Sequence, residues 1–196
     1  MPRLKPGDKA PVFNHLNYDG NLISLSQFTG KKVWLAFYRY SSCPLCLDHF
    51  AEVLERHAEL RSSNGEFIAV FESKSIDLRK NPCRKMNVFY PMLADSEKKI
   101  YSAYGVEENF FKALHPSVLF KLGIAMAHGF PQGKIDGAIG RVPAHFLIRP
   151  DGIIDTAHYG SHIADNIPWW KVARFMGKTQ TGQVNPNDPW ARFHYR

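Results

Sequence analysis

The stretch KVWLAFYRYSSCPLCLDHF, residues 32–50, joins an apolar run to two cysteines that lie three positions apart. The run from Lys32 to Tyr40 has the length and aromatic content of a strand that is buried on both faces. Apolar residues recur at helical spacing after the second cysteine, and Pro44 suits the first turn of a helix. The stretch therefore predicts that Cys43 and Cys46 lie where a central strand passes into a helix.

The segments around this junction predict an α/β fold, a mixed sheet with helices on both faces. Further strands are predicted at residues 66–73 and 88–95, and residues 144–160 are predicted to form two strands joined by the turn sequence RPDG. A helix that begins after Ser96 and a last helix that ends at Gly177 complete this frame.

Length and composition predict one domain with a tail. A chain of 196 residues with 44% hydrophobic content can bury a single core. We place the domain at residues 1–177 and treat residues 107–140 as an insertion, because their helical pattern and glycine-rich end fit no element of the frame. Residues 110–120 are predicted to pack over apolar surface near the cysteines or across a dimer interface. The aromatic residues of the tail, residues 178–196, predict that it docks on the domain.

Charge and hydropathy exclude several function classes. The net charge is +7, but Lys and Arg are spread along the chain and form no basic stripe, so no nucleic-acid partner is predicted. No segment approaches the ~20 consecutive apolar residues of a membrane span, and the first residues lack the apolar core of a secretory signal. We therefore expect a cytoplasmic protein without a membrane partner.

The two closely spaced cysteines predict redox chemistry. A thiol in the first turn of a helix has a lowered pKa because unpaired N–H groups stabilise the thiolate. Side chains three positions apart can also close a disulfide. Zinc would need two further ligands, so we expect neither a metal nor an organic cofactor. Cys83, the third cysteine, is a candidate remote resolving thiol, although we expect a bystander.

Several motifs together resemble the peroxiredoxin-like proteins of the alkyl hydroperoxide reductase and thiol-specific antioxidant (AhpC/TSA) superfamily. They are KPGDKAPVFNHLNYDGNLISLSQFTGKKVWLAFYR from Lys5, YPMLADSEKKIYSAYGV from Tyr90 and HFLIRPDGII from His145. The likeness covers roughly residues 5–106 and 141–176, and the motifs are specific in combination. It implies a thioredoxin-like fold with an N-terminal hairpin and a helical insertion.

The resemblance also implies roles for the two cysteines. The family carries a Thr-Pro-x-Cys element whose cysteine attacks peroxide, and CPLC stands in its place here. Cys46 thus takes the attacking position, and Cys43 replaces the threonine. Arg39 and Arg141 are both candidates to hold the thiolate, and Arg141 is preferred because the late arginine of the family falls near it.

Three further residues are assigned to substrate binding. The segment RVPAHFLI resembles the strand of thioredoxin that begins with a cis-proline beside the CxxC motif. It predicts a cis bond between Val142 and Pro143 that faces the cysteines. Tyr38, at the end of the central strand, and Pro44, between the cysteines, complete the assignment.

Three functions remain open at this point. In the first, Cys46 reduces hydrogen peroxide or an organic hydroperoxide, becomes a sulfenic acid and forms a disulfide with Cys43 that an external thiol such as thioredoxin or glutathione reduces. In the second, Cys43 attacks a substrate disulfide and Cys46 resolves it, as in thioredoxin-like oxidoreductases. In the third, the chain is a non-catalytic binding module. A homodimer is left open in each case.

Overall fold

The computed structural model describes residues 2–80 and 90–177. Within them, the chain forms a two-stranded hairpin and a five-stranded mixed sheet flanked by helices, which confirms the predicted fold class. The strands are β1 Asn14–Leu16, β2 Leu22–Ser24, β3 Lys32–Phe37, β4 Gly65–Phe71, β5 Met92–Ala94, β6 Ala144–Ile148 and β7 Ile154–Tyr159. The α-helices are α1 Pro44–Glu55, α2 His57–Ser62, α3 Ser75–Arg79, α4 Lys99–Ala103, α5 Pro116–Ala127 and α6 Trp169–Met176.

Strand β3 lies at the centre of the larger sheet, whose order is β5-β4-β3-β6-β7. It pairs in parallel with β4 and antiparallel with β6. Its last residue, Phe37, lies opposite Val70 of β4 and Ala144 of β6. The chain therefore leaves the middle of the sheet a few residues before the cysteines, as the apolar run predicts.

The side chains of β3 supply a hydrophobic core on each face of the sheet. Trp34 and Ala36 belong to the core that α1 and α6 cover, whereas Val33, Leu35 and Phe37 belong to the core that α4 covers. None of the five is more than 2% exposed. Since successive strand residues point to opposite faces, burial on both sides requires the continuous apolar run found in the sequence.

Asp95, just after β5, fixes α4 against the ends of the central strands. Its carboxylate is fully buried and accepts hydrogen bonds from three backbone N–H groups at the start of the helix, the shortest from Ile100 at 2.7 Å. The next residue, Tyr101, donates its hydroxyl to the carbonyl oxygens of Tyr38 and Val70. These bonds tie α4 to β4 and to the residue that follows β3, five positions before Cys43.

The predicted insertion forms a 3-10 turn at Phe110–Ala113 followed by α5. Pro116 is the first residue of α5, a position where the missing N–H of proline costs no helical hydrogen bond. The expected packing of residues 110–120 near the cysteines is wrong for the largest side chains, because Phe111 is 78% exposed and Leu119 is 76% exposed. The alternative, a dimer interface, stays a prediction.

Two predicted features lie outside the described residues: Cys83 and the tail, residues 178–196. The last described helix ends at Met176, and Gly177 follows it in the left-handed region with φ of 81°. In the described part of the chain, no helix is both long and apolar enough to cross a membrane.

Substitution of Asp95 tests the link between α4 and the sheet. We expect Asp95→Ala to lower the free energy of unfolding by about 2–4 kcal/mol, because buried N–H donors lose a charged acceptor. Urea unfolding measures the change. Glu97→Ala is the matched control: this carboxylate is exposed and pairs with the exposed Lys99 side chain, so its change should stay within about 0.5 kcal/mol. Equal effects of the two substitutions would contradict the assigned role.

Candidate active site

The two cysteines lie at the N-terminus of α1. Cys43 caps the helix, and its Sγ accepts a hydrogen bond from the backbone N–H of Cys46 at 3.3 Å. Cys46 Sγ accepts one from the backbone N–H of Arg39 at 3.4 Å. Both cysteines are free thiols, Cys43 is fully buried and Cys46 is 5% exposed. Backbone N–H groups and the positive end of the helix therefore surround both sulfurs.

Arg39 is the arginine that contacts the sulfurs. Its side chain is buried, and Nη2 donates a hydrogen bond to Cys43 Sγ at 2.8 Å. The same guanidinium donates through Nη1 to the carbonyl oxygen of Ile139 at 3.0 Å. Arg39 stands two residues after β3, so the end of the central strand places a cation directly against the helix terminus.

This arrangement separates the pKa values of the two thiols. Burial alone raises the pKa of Cys43, but the hydrogen bond with the Cys46 thiol and the charge of Arg39 outweigh it and lower that pKa to about 7. Burial, followed by the hydrogen bond with Cys43 and the charge on its sulfur, raises the pKa of Cys46 well above its usual value. The negative charge of the pair is therefore held on Cys43, and the proton on Cys46.

A loop from the second half of the insertion, residues 131–140, covers the cysteine junction; we call it the covering loop. Ser42 donates its hydroxyl to the carbonyl of Lys134 in this loop, and Tyr40 donates to the side chain of Gln132 at 3.2 Å. Gly133 allows the close approach, because a Cβ at this position would lie 2.6 Å from the Cβ of Ser42. The covering loop therefore packs against Tyr40 and Ser42, the residues that lead into Cys43.

Arg141 anchors the end of this loop rather than a sulfur. Its Nε donates to the carboxylate of Glu72, and its Nη1 donates to the carbonyl oxygen of Val106 at 2.9 Å. Glu72 also accepts the backbone N–H of Ala138 at 2.8 Å, and both charged side chains are buried. The preference for Arg141 as the residue that holds the thiolate is therefore corrected in favour of Arg39.

Tyr38 is a core residue. It is fully buried, its hydroxyl is hydrogen-bonded to Nδ1 of His49 at 2.8 Å, and its ring stacks on Phe71. The geometry therefore assigns packing to Tyr38 and not substrate binding.

The two prolines occupy different environments. Pro44 is the buried first residue of α1, as predicted, and its part in substrate binding stays a prediction. The peptide bonds of the described residues are all trans, so the predicted cis bond before Pro143 is wrong. The carbonyl of Pro143 accepts the N–H of Gly160 at 2.9 Å, and its side chain lines a small cavity with Arg3 and Tyr159.

Over residues 2–80 and 90–177, no three His, Cys, Asp or Glu side chains form a metal-binding group.

Sequence reasoning undervalued Arg39 and the covering loop. Two signals were available: Arg39 lies near the end of the predicted central strand, four residues before Cys43, and glycines are concentrated in the second half of the insertion. Close approach of one backbone to another requires small residues, so such a glycine-rich segment is a candidate cover for a buried site.

Solved structures of similar fold include peroxiredoxins and a thiol:disulfide interchange protein. The peroxidoxin BcpB of Mycobacterium tuberculosis has a TM-score of 0.64 at 15% identity and covers 89% of this chain and 96% of its own. AhpC of Mycobacterium bovis has a TM-score of 0.66 at 16% identity, with 96% and 99% covered. The interchange protein DsbE of Chlorobium tepidum has a TM-score of 0.62 at 22% identity, with 89% and 99% covered. At these identities, the likeness shows the thioredoxin fold.

The sequence itself is similar to proteins that are named as peroxiredoxins. A Mycobacterium tuberculosis protein is 27% identical over 103 residues, which are 53% of this chain and 65% of that relative. The bcp protein of Coxiella burnetii is 25% identical over 147 residues, 71% of this chain and 96% of the relative. The sequence model of the AhpC/TSA family matches residues 6–157, most of the described domain. The chain therefore belongs to the AhpC/TSA family.

Proposed function

We propose that this chain is a thiol peroxidase that reduces a small hydroperoxide while Cys43 and Cys46 cycle between dithiol and disulfide. The observation that carries the proposal is the 2.8 Å contact between the Arg39 guanidinium and Cys43 Sγ at the start of α1. A thiolate is the form of cysteine that attacks peroxide, and this contact stabilises the thiolate near neutral pH. Membership of the AhpC/TSA family supports peroxide as the oxidant.

The first step forms a sulfenic acid. The Cys43 thiolate attacks one peroxide oxygen, the O–O bond breaks, and the leaving alkoxide or hydroxide takes a proton to become an alcohol or water. Cys43 is oxidised and the peroxide is reduced by the same electron pair. Arg39 stays beside the sulfur through this step, where its charge also stabilises negative charge that develops on the peroxide.

The second step forms the disulfide. Cys46 gives its sulfur electrons to Cys43, an S–S bond forms, and the hydroxyl of the sulfenic acid leaves as water with the Cys46 proton. Two external thiols then return the disulfide to the dithiol, and thioredoxin or glutathione has the required chemistry. All electrons come from cysteines, so the cycle requires no metal or organic cofactor. A reducing compartment such as the cytoplasm suits a resting dithiol.

The order of attack differs from the one that the family position implies. That position assigns the attack to Cys46, whereas the contact with Arg39 and the directions of the two pKa shifts favour Cys43. A buried thiol that keeps its proton suits the resolving role, because it reacts only after the neighbouring sulfur has become an electrophile. We therefore assign the attack to Cys43 and the resolution to Cys46.

Burial of the site favours a small oxidant. Cys43 is fully buried and the covering loop is bonded to the neighbouring Ser42, so the geometry suits a molecule of the size of hydrogen peroxide or a small alkyl hydroperoxide. A second candidate function, reduction of substrate disulfides, is favoured by one specific observation: an acidic first cysteine followed by a protonated second one is the arrangement of CxxC reductases. The binding-module hypothesis gives no role to the Arg39 contact.

Single substitutions of the cysteines test the order of attack. In stopped-flow measurements at pH 7, we expect Cys43→Ser to slow the reaction with hydrogen peroxide about a hundredfold, because Cys46 alone is almost fully protonated. Cys46→Ser should still react, and dimedone labelling with mass spectrometry should find the sulfenic acid on Cys43.

The opposite labelling, on Cys46 of the Cys43→Ser variant with fast kinetics, would restore the family order. Slow peroxide reaction of the unsubstituted chain combined with fast reduction of a model disulfide would favour the second candidate function. A cysteine pair that reacts with neither peroxide nor a model disulfide would contradict both candidate functions.

A paired comparison of the two arginines tests which one sustains the thiolate. Arg39→Leu should slow peroxide reduction at pH 7 by about tenfold or more, because the thiol pKa returns towards its ordinary value. Arg141→Met should leave the Cys43 pKa near 7, while loss of its buried ion pair lowers the free energy of unfolding by about 3–5 kcal/mol. Arg39→Lys keeps the positive charge, so comparison with Arg39→Leu distinguishes the effect of losing the charge from the effect of losing the packing of the side chain. A pKa rise in Arg141→Met alone would reverse the assignment.

A further inference from the structure

A second cavity lies away from the sulfurs, between α1, α5 and the start of α6. Its volume is about 310 Å³, enough for one or two large side chains. Apolar and aromatic residues from the three helices and from the segment just before α6 line it: Leu45, Phe120, Ile124, Ile167, Trp169 and Trp170. The peroxidase cycle makes no use of this cavity.

The edge of the cavity exposes large aromatic side chains. Phe120 is 64% exposed and Trp170 is 45% exposed, on neighbouring helices that face the same opening. Trp169, beside them, is already held in place by Arg56, whose guanidinium lies 4.6 Å from the ring centre. Exposed aromatic surface of this kind beside a concave opening marks a place where another apolar group binds.

The charged residues of the cavity are mostly acidic. Three carboxylates, Asp48, Glu52 and Asp165, line it together with two cations, Arg56 and Lys121. Asp48 lies 2.6 Å from Nδ1 of His128 and Glu52 lies 3.7 Å from Nε of Arg56, so an arginine of the occupant would join these two pairs. The Lys121 ammonium donates a hydrogen bond to the backbone carbonyl oxygen of Ala164, just before α6, at 2.9 Å. The balance of formal charges therefore favours an occupant that is both aromatic and basic.

Residues 178–196 of this chain have that chemistry. They carry three aromatic residues, Trp190, Phe193 and Tyr195, and three basic residues against the single acidic Asp188. Both arginines of the segment stand next to an aromatic residue in the run WARFHYR. An aromatic side chain buries about 150–250 Å² when it docks, and the neighbouring arginines suit carboxylates at the rim.

The point at which the segment leaves the domain places it within reach. It follows Gly177 at the end of α6, and the eight residues of α6 span about 12 Å from there back to the cavity. Trp190 comes thirteen residues after Gly177, and an extended chain of that length reaches about 40 Å. The segment can therefore reverse its direction and return along α6 without strain.

We propose that residues 178–196 dock back onto their own domain and place the WARFHYR run in the cavity between α1, α5 and α6. The aromatic side chains cover Phe120 and Trp170, and the arginines face Asp48 and Glu52. The proposal is independent of the peroxidase function, because none of its contacts involves a sulfur or Arg39. Docking closes the cavity to small molecules and buries the aromatic edge of α5 and α6.

Photo-crosslinking of the full chain tests the docking. The chain carries Trp190→p-benzoylphenylalanine, which keeps an aromatic ring at the docking position, and mass spectrometry maps the crosslinked peptides after irradiation. We expect crosslinks within one chain to one of the three cavity walls: residues 45–56, 116–127 or 164–170. A mixture of isotopically light and heavy chains distinguishes crosslinks within a chain from crosslinks between chains.

Two matched substitutions identify the cavity as the acceptor. Phe120→Glu, in the cavity wall, should reduce the crosslink yield and increase tryptic cleavage after Arg192 by about tenfold or more, the change expected when one buried aromatic contact is lost. Phe111→Glu, at a position that is also exposed but lies outside the cavity, should leave both the crosslink yield and the cleavage unchanged. Both side chains are exposed, so neither substitution threatens the fold.

Three outcomes overturn the proposal. Crosslinks to other parts of the domain place the segment elsewhere, and crosslinks between light and heavy chains make the occupant a second copy. Equal effects of Phe120→Glu and Phe111→Glu show that the cavity is not the acceptor. All readouts are independent of catalytic activity, so they stand whether or not the chain reduces peroxide.

Discussion

The contact between the Arg39 guanidinium and the sulfur of Cys43 is the interaction on which the rest of the site depends. It places a cation and an anion in a buried space, where each would be costly alone and where the pair is worth more than in water. The helix N-terminus adds backbone N–H groups around the same sulfur. Together they place the negative charge on one of two neighbouring thiols.

The fold supplies this contact from three directions. Arg39 lies just after the central strand β3, and Cys43 is the N-cap of α1. The carbonyl oxygen of Ile139, in the covering loop, accepts a hydrogen bond from the same guanidinium. Two buried carboxylates hold the supports in place: Asp95 fixes α4 beneath the strand ends, and Glu72 ties Arg141 to the loop. Charged groups distant from the sulfurs thus keep the site rigid and dry, which strengthens the central contact.

Local sequence was sufficient to predict the scaffold and insufficient to predict the contacts across it. The apolar run of β3 and the helical spacing of apolar residues in α1 predict which side chains are buried, and the turn sequence RPDG predicts the β6–β7 hairpin. The choice between Arg39 and Arg141 depends on where two long side chains point after the chain has folded, and no local pattern encodes it. The same holds for the loop: residues 131–140 reach Ser42 through tertiary packing, although their glycines hinted at close approach. The proline before β6 was misjudged because sequence likeness to thioredoxin does not fix the isomer of a peptide bond.

A site-resolved titration of the two thiols tests the central claim most directly. In the reduced, unsubstituted chain with ¹³C-labelled cysteine, the Cβ resonance of Cys43 should titrate with a midpoint of about 7, so that its thiolate fraction rises through neutral pH. The Cβ resonance of Cys46 should keep its protonated position until well above the usual pKa of a thiol. A spectrum in which Cys46 loses its proton first, or in which both thiols stay protonated beyond pH ~8.5, would contradict the account.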